Sequence, residues 1–188
     1  YKQLEIVVAN DPDNLNAKVK MALILIETKE YPAAIKRLKE ILAAAPESDK
    51  IRFFLGAVYE EVKDYAQAIE QFKKVEASSS YFQESIIHIS YLQKLGGDYP
   101  SAIATIEKGI ELSPDHIPFY PLYASYLDDT KQYALAVTML KKATQKFPEN
   151  DQLFFFLGSM QDKVGDKEST ILSMKKTLEI NPDHIQAL

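Results

Sequence analysis

Cysteine and tryptophan are missing from this 188-residue sequence, glycine is scarce at six, and arginine occurs twice, at Arg37 and Arg52, against twenty lysines. Without cysteine there is no disulfide framework, no thiolate metal site and no thiol nucleophile. Acidic residues outnumber basic ones, 27 to 22, for a formal charge of −5. That balance argues against nucleic-acid binding, which draws its affinity from lysine and arginine neutralising phosphates. No apolar run approaches the ~20 residues that span a bilayer. The opening YKQLEIVVANDP has neither the basic start nor the long apolar centre of a signal peptide. The chain does not open on methionine, so it is expected to be a piece of a longer one. Apolar residues nevertheless make up 46% of it, more than a disordered chain carries.

Catalytic patterns are equally scarce. There is no H-x-x-x-H pair, no G-x-S-x-G and no glycine-rich phosphate loop. The histidines are His88, His116 and His184, and the last two share the phrase PDHI, which places them in exposed loops. Glu60-Glu61 and Asp128-Asp129 are adjacent carboxylates, but neighbours on a helix diverge by about 100° and are not expected to flank one substrate. No enzyme activity, catalytic residue, metal or cofactor is expected.

What the sequence does contain is a beat. KEYPAAI begins at 29, KDYAQAI at 63, GDYPSAI at 97 and KQYALAV at 131. Pro12, Pro46, Pro114, Pro148 and Pro182 fall on the same 34-residue grid, which only Ser80 breaks. Five units follow, at 15–48, 49–82, 83–116, 117–150 and 151–184. Each reads as two amphipathic helices. The first carries a large residue followed by a small one: Met21-Ala22, Leu55-Gly56, Ile89-Ser90, Tyr123-Ala124 and Leu157-Gly158. The second opens at the repeated phrase and buries Ala34, Ile35, Leu38 and Ile41, a stripe near period 3.6 that Ala68, Ile69, Phe72 and Val75 repeat. Short side chains let paired helices approach closely. Tyr31, Tyr65, Tyr99 and Tyr133 fall at the turn, Pro32 and Pro100 suit a first helical position, and the grid prolines end each second helix.

These residues resemble the tetratricopeptide repeat family, whose units are helix–turn–helix motifs of 34 residues. The resemblance covers essentially the whole chain and implies an all-α, right-handed α-solenoid of antiparallel helix–turn–helix units, continuous from end to end. Residues 1–14 match the second helix of a preceding unit, and 185–188 the start of a further one. The family's usual first-helix tryptophan is replaced by Lys18, Arg52, Ile86, Tyr120 and Phe154. In the last unit Lys167 and Thr170 replace the tyrosine and alanine, so that pair is expected to pack less tightly. Pro118 and Pro121 should make one first helix start late or bend. EASSSYF, at 76–82, reads as a helix end followed by an N-cap.

In such solenoids the first helices line a concave binding surface. Read by register, the partner-binding candidates are Val19, Leu23, Phe53, Glu60, Glu61, Ile87, Tyr91, Leu95, Asp128, Asp129, Phe155 and Asp162. They describe an apolar groove with an acidic edge, suited to a peptide or amphipathic helix with basic residues. The lysine–asparagine–arginine set with which some members grip a terminal carboxylate is absent: Val19, Leu23, Phe53 and Ala57 stand in its places. The expected role is a non-catalytic protein–protein interaction scaffold. One rival is a structural segment, a homo-oligomer stacking through open ends; another is the substrate-selecting region of a larger enzyme. Lysines 39, 73, 74, 108, 141, 142, 175 and 176 read as a solvated outer face. The repeat style and lysine bias lean to a bacterial cytoplasm or periplasm.

Overall fold

The computed structural model describes residues 2–12 and 14–187; Tyr1, Asp13 and Leu188, which fall in the predicted terminal segments, lie outside the described residues. The elements are α1 (Lys2–Asn10), α2 (Leu15–Glu27), α3 (Tyr31–Ala44), α4 (Asp49–Glu61), α5 (Tyr65–Lys73), α6 (Phe82–Leu95), α7 (Tyr99–Leu112), α8 (Phe119–Asp129), α9 (Tyr133–Lys146), α10 (Asp151–Lys163) and α11 (Lys167–Ile180). A single 3₁₀ turn, Ile185–Ala187, follows. No strand occurs among the described residues, and no described helix is long and apolar enough to cross a membrane. Packing divides the chain into two compact units, one ending at Leu92 and the other beginning at Gln93.

The beat becomes visible in the turns. Lys29, Lys63, Gly97, Lys131 and Gly165 all adopt positive φ, between 59° and 81°. Each is followed by an amide that reaches back to the carbonyl five residues earlier, as Asp64 N does to Tyr59 O at 2.9 Å and Gln132 N to Leu127 O at 2.7 Å. This is the left-handed helix stop that satisfies the last carbonyls of a first helix. The same following residue caps the second helix where it is aspartate: Asp64, Asp98 and Asp166 accept from the amides of Gln67, Ser101 and Ser169. Stop and start therefore share two residues.

Within the first unit, α2 pairs with α3 and α4 with α5. Ala22, Ala34 and Ala68 are fully buried, and Leu25, Leu38, Ile41, Leu55 and Phe72 fill the space around them. Gly56 permits the closest approach: a Cβ there would lie 2.8 Å from the Phe72 ring. In the second unit Ala102, Ala124 and Ala136 are equally buried, with Ile106, Phe119, Leu127, Leu140 and Leu153 as the bulk.

Several local expectations are met or amended. The second helices end two residues before their grid prolines, α3 at Ala44 and α9 at Lys146. Pro32 and Pro100 sit at the second helical position, one residue further in than expected, where an amide is still unpartnered. Helix α8 begins five residues past Pro114, where α4 begins three past Pro46; Pro118 caps it and Pro121 falls within its first turn. The serine segment does more than replace a stop: α5 ends at Lys73, nine residues long, where α3, α7, α9 and α11 run to fourteen. Val75 lies past its end yet stays buried. Arg52 and Tyr120, in the tryptophan position, donate to the carbonyls of Pro46 and Pro114, tying each first helix to the preceding stop. His116 and His184 are not exposed. Their rings are half-buried against Phe119 and Phe155, and Nε2 of the first and Nδ1 of the second are enclosed without a hydrogen-bond partner. The last pair is joined by a polar seam: Ser173 Oγ donates to Gln161 at 2.7 Å and Asn181 to Asp151 at 2.6 Å.

Candidate partner-binding site

The first-helix residues of the first unit divide by what already holds them. Val19 and Phe53 are partly buried and pack on the hydrophobic core. Phe53 is the more committed, its ring 5.2 Å from Tyr81, 5.6 Å from Phe72 and 5.7 Å from His88. The short α5 and the serine segment after it deliver Tyr81 to this cluster. Phe53 is therefore a wall, not the free anchor its register suggested. Leu23 and Ile87 are half-buried, and Tyr91 is 50% exposed.

Between α2, α4 and α6 lies a cleft of about 200 Å³, lined by Ile26, Phe54, Ala57, Val58, Glu60, Glu61 and His88. Its floor is apolar, and its rim is carboxylate. Contrary to the expectation from helix geometry, Glu60 and Glu61 both border the same space, because they close the last turn of α4 where its neighbours end as well. His88 Nδ1 donates to Glu60 Oε2 at 2.6 Å, and the ring lies stacked on Phe72 at 4.9 Å. Glu61 accepts from the Tyr31 hydroxyl at 3.3 Å. Neither glutamate has a lysine or arginine ion-pair partner among the described residues. Helix α4 carries no basic residue in its last turn to offset the negative end of its dipole.

The second unit arranges its acids differently. Asp129 pairs with Lys94 at 2.6 Å, and Asp128 pairs with Lys163. The two ammonium groups also lie over aromatic rings, Lys94 at 5.1 Å from Tyr126 and Lys163 at 5.5 Å from Tyr133. The hydrogen bond to Asp129 foremost holds the Lys94 ammonium above the usual lysine range, against the desolvation that opposes it. The expected acidic edge is here internally neutralised, with Asp162 remaining exposed. Phe155 is half-buried against Phe156 and His184, and Leu95 is 52% exposed. Behind this face, Tyr123 donates to Glu107 at 2.5 Å; burial, with the Glu107 contact added, pushes its hydroxyl well above the tyrosine range.

Register places Ile26, Ala57, Glu60 and Glu61 on the face that borders the cleft, but not Phe54 and His88, which also line it, nor Tyr81, which packs on Phe53. His88 had a legible signal, four residues after Glu84 and three before Tyr91 on the same helix face. Tyr81 had none, since its placement depends on where α5 stops. Among the described residues no three histidine, aspartate or glutamate side chains converge as a metal-binding group.

Two tetratricopeptide repeat profiles match the sequence, one over residues 25–79 and one over 83–116. The chain belongs to the tetratricopeptide repeat family. Repeats of this family are generally non-catalytic interaction scaffolds. No curated protein matches the sequence. Among solved structures, the chain is similar to YrrB, described as a tetratricopeptide repeat protein with an unusual peptide-binding site, at 15% identity over 98% of this chain and 95% of that one, TM-score 0.68. It is similar to MamA at 18% identity over 92% and 94%, TM-score 0.70. PilF of Pseudomonas aeruginosa shares 14% identity over 98% and 84%, TM-score 0.64. These likenesses concern the fold, an all-α solenoid of repeats.

Proposed function

We propose that this tetratricopeptide repeat chain is a protein-interaction scaffold that holds a peptide or helical segment of a partner on the first helices of its N-terminal unit. The observation that carries the reading is the cleft between α2, α4 and α6, apolar at its floor and carboxylate at its rim, with Tyr91 exposed nearby on α6. Apolar side chains of a bound segment would be buried there, and the carboxylates would set its orientation. YrrB, whose described property is peptide binding, supports the same use of the fold. A displayed library of random 12-residue peptides, selected on the protein and then measured in solution, tests the reading. Ala57→Trp fills the cleft without touching the core alanines, and should weaken selected peptides by about tenfold or more. Peptides that bind Ala57→Trp as well as the native protein would refute it.

A second reading is favoured by a separate observation. Ile171 and Leu172 of α11 are 55% and 62% exposed, and Ile6 of α1 is 62% exposed, each on a helix that could stack on another chain. Light scattering that shows mass rising with concentration, and an Ile171→Glu/Leu172→Glu variant that stays monomeric, would support self-association.

A further inference from the structure

Glu60-Glu61 and Asp128-Asp129 stand two repeat lengths apart and so occupy the same two positions of their units. Their surroundings differ in whether a lysine meets the carboxylates. Asp129 is met by Lys94, 35 residues before it, and Asp128 by Lys163, 35 residues after it. Each lysine reaches its aspartate from a flanking first helix with its ammonium also over a tyrosine ring. The residue 35 before Glu61 is Ile26, which lines the cleft, and no basic residue stands in its place. The chain thus supplies its own answer to an acidic pair in one unit and omits it in the other, where a cleft about the size of an amino-acid side chain opens beside the same two positions.

We infer that the cleft takes the lysine or arginine side chain of a bound segment, a reading that rests on the peptide-binding function proposed above. The alkyl stem lies along Ile26, Phe54, Ala57 and Val58, and the charged head meets Glu60 and Glu61. An apolar channel ending in carboxylates fits a side chain that is apolar along its stem and cationic at its tip. An isolated cation would waste the floor, and a purely apolar side chain would strip water from two carboxylates without pairing them. Glu60 is held ready by His88 at 2.6 Å and Glu61 by Tyr31 at 3.3 Å, so the rim is ordered before anything binds.

The test uses the peptides selected above that lose binding to Ala57→Trp. Replacing their basic residue with an uncharged one of the same length, norleucine for lysine or citrulline for arginine, should weaken binding about tenfold or more, and added salt should weaken the native pair more than the neutral one. Two variants work from the protein side. Ile26→Lys grafts the arrangement of Lys94 and Asp129 onto the first unit, and is expected to block the cleft with the chain's own ammonium while circular dichroism stays native. Glu61→Gln, on an exposed side chain, is the milder second variant and should lower affinity for the charged peptide while leaving its neutral version unchanged. Cleft-dependent peptides that are indifferent to loss of their charge, or that bind Ile26→Lys and Glu61→Gln as they bind the native protein, overturn the inference while leaving the peptide-binding reading intact. If no selected peptide depends on the cleft, both fall together.

Discussion

Two glycines in equivalent positions should respond oppositely to the same substitution. Gly56 and Gly158 both stand in first helices where the second helix comes close, and helix propensity alone favours alanine at each by about 1 kcal/mol. What each new methyl would meet is different. At Gly56 it would lie 2.8, 2.9 and 3.0 Å from three consecutive carbons of the Phe72 ring. That ring is 1% exposed and stacked on His88, with Phe53 5.6 Å away, so it has no room to turn aside. Overpacking of this kind costs about 1–3 kcal/mol, and an enclosed ring belongs at the upper end, which leaves a net loss of about 2 kcal/mol for Gly56→Ala. At Gly158 the nearest atoms are the Met174 terminal methyl at 2.9 Å and its sulfur at 3.3 Å, with Ser173 Cβ also at 3.3 Å. A methionine end swings away cheaply, so Gly158→Ala should be neutral or stabilising by up to about 1 kcal/mol. Denaturant unfolding followed by far-ultraviolet circular dichroism should separate the two variants by about 2–3 kcal/mol. A double-mutant cycle with Phe72→Leu should show Gly56→Ala losing most of its cost once the ring edge is gone. A Gly56→Ala protein as stable as the native one would refute the argument, and with it the claim that glycine is there for close approach.

The turn position predicts a second asymmetry: Gly165→Ala should cost about 1 kcal/mol at its φ of 81°, whereas Lys131→Gly, at 59°, should be neutral or slightly stabilising, both read by thermal unfolding. Asp98 and Asp166 are held below the usual aspartate range, first by the hydroxyls and then by the amides of Ser101 and Ser169. A depressed folded-state pKa means their contribution is complete above the unfolded value and disappears as pH falls through the folded one. Acid unfolding below about pH 4 should therefore be less steep in Asp98→Asn/Asp166→Asn than in the native chain. Tyr123→Phe, losing the hydrogen bond to Glu107, should cost about 1 kcal/mol and remove one late-ionising tyrosine from an alkaline absorbance titration.

The helices and their pairing were legible because the information is local and repeated. Ala34, Ala68, Ala102 and Ala136 announce the contact points, the prolines announce the stops, and each helix needs only its own residues and those of the neighbouring helix. The site was legible in part for the same reason: register puts Glu60, Glu61, Ile87 and Tyr91 on first-helix faces whatever else happens. What register cannot supply is competition for those faces. Phe53 points where expected but is claimed by Tyr81 and His88, and Tyr81 arrives only because α5 stops at Lys73. Lys94 and Lys163 neutralise Asp129 and Asp128 at a separation of 35, one residue off the beat, so a comparison at the repeat length alone passes over the pairing. His116 and His184 look like loop residues in sequence, and only packing against Phe119 and Phe155 shows them enclosed.

The polar seam of the last helix pair has a calorimetric consequence. Helix α11 fully buries only Ser173 and Thr177 among its described residues, with Met174, Leu178 and Ile180 half-buried and Ile171 and Leu172 turned outward, so detaching it exposes less apolar surface of its own than detaching α3 or α9 would. Heat capacity on unfolding tracks apolar exposure, while breaking buried hydrogen bonds is paid mainly in enthalpy. The opening of this helix should thus carry an enthalpy that varies less with temperature, and a shallower response to urea, than the alanine-and-leucine interiors of the preceding pairs. Cooling, which weakens apolar burial, would then loosen those interiors more than the serine–threonine seam.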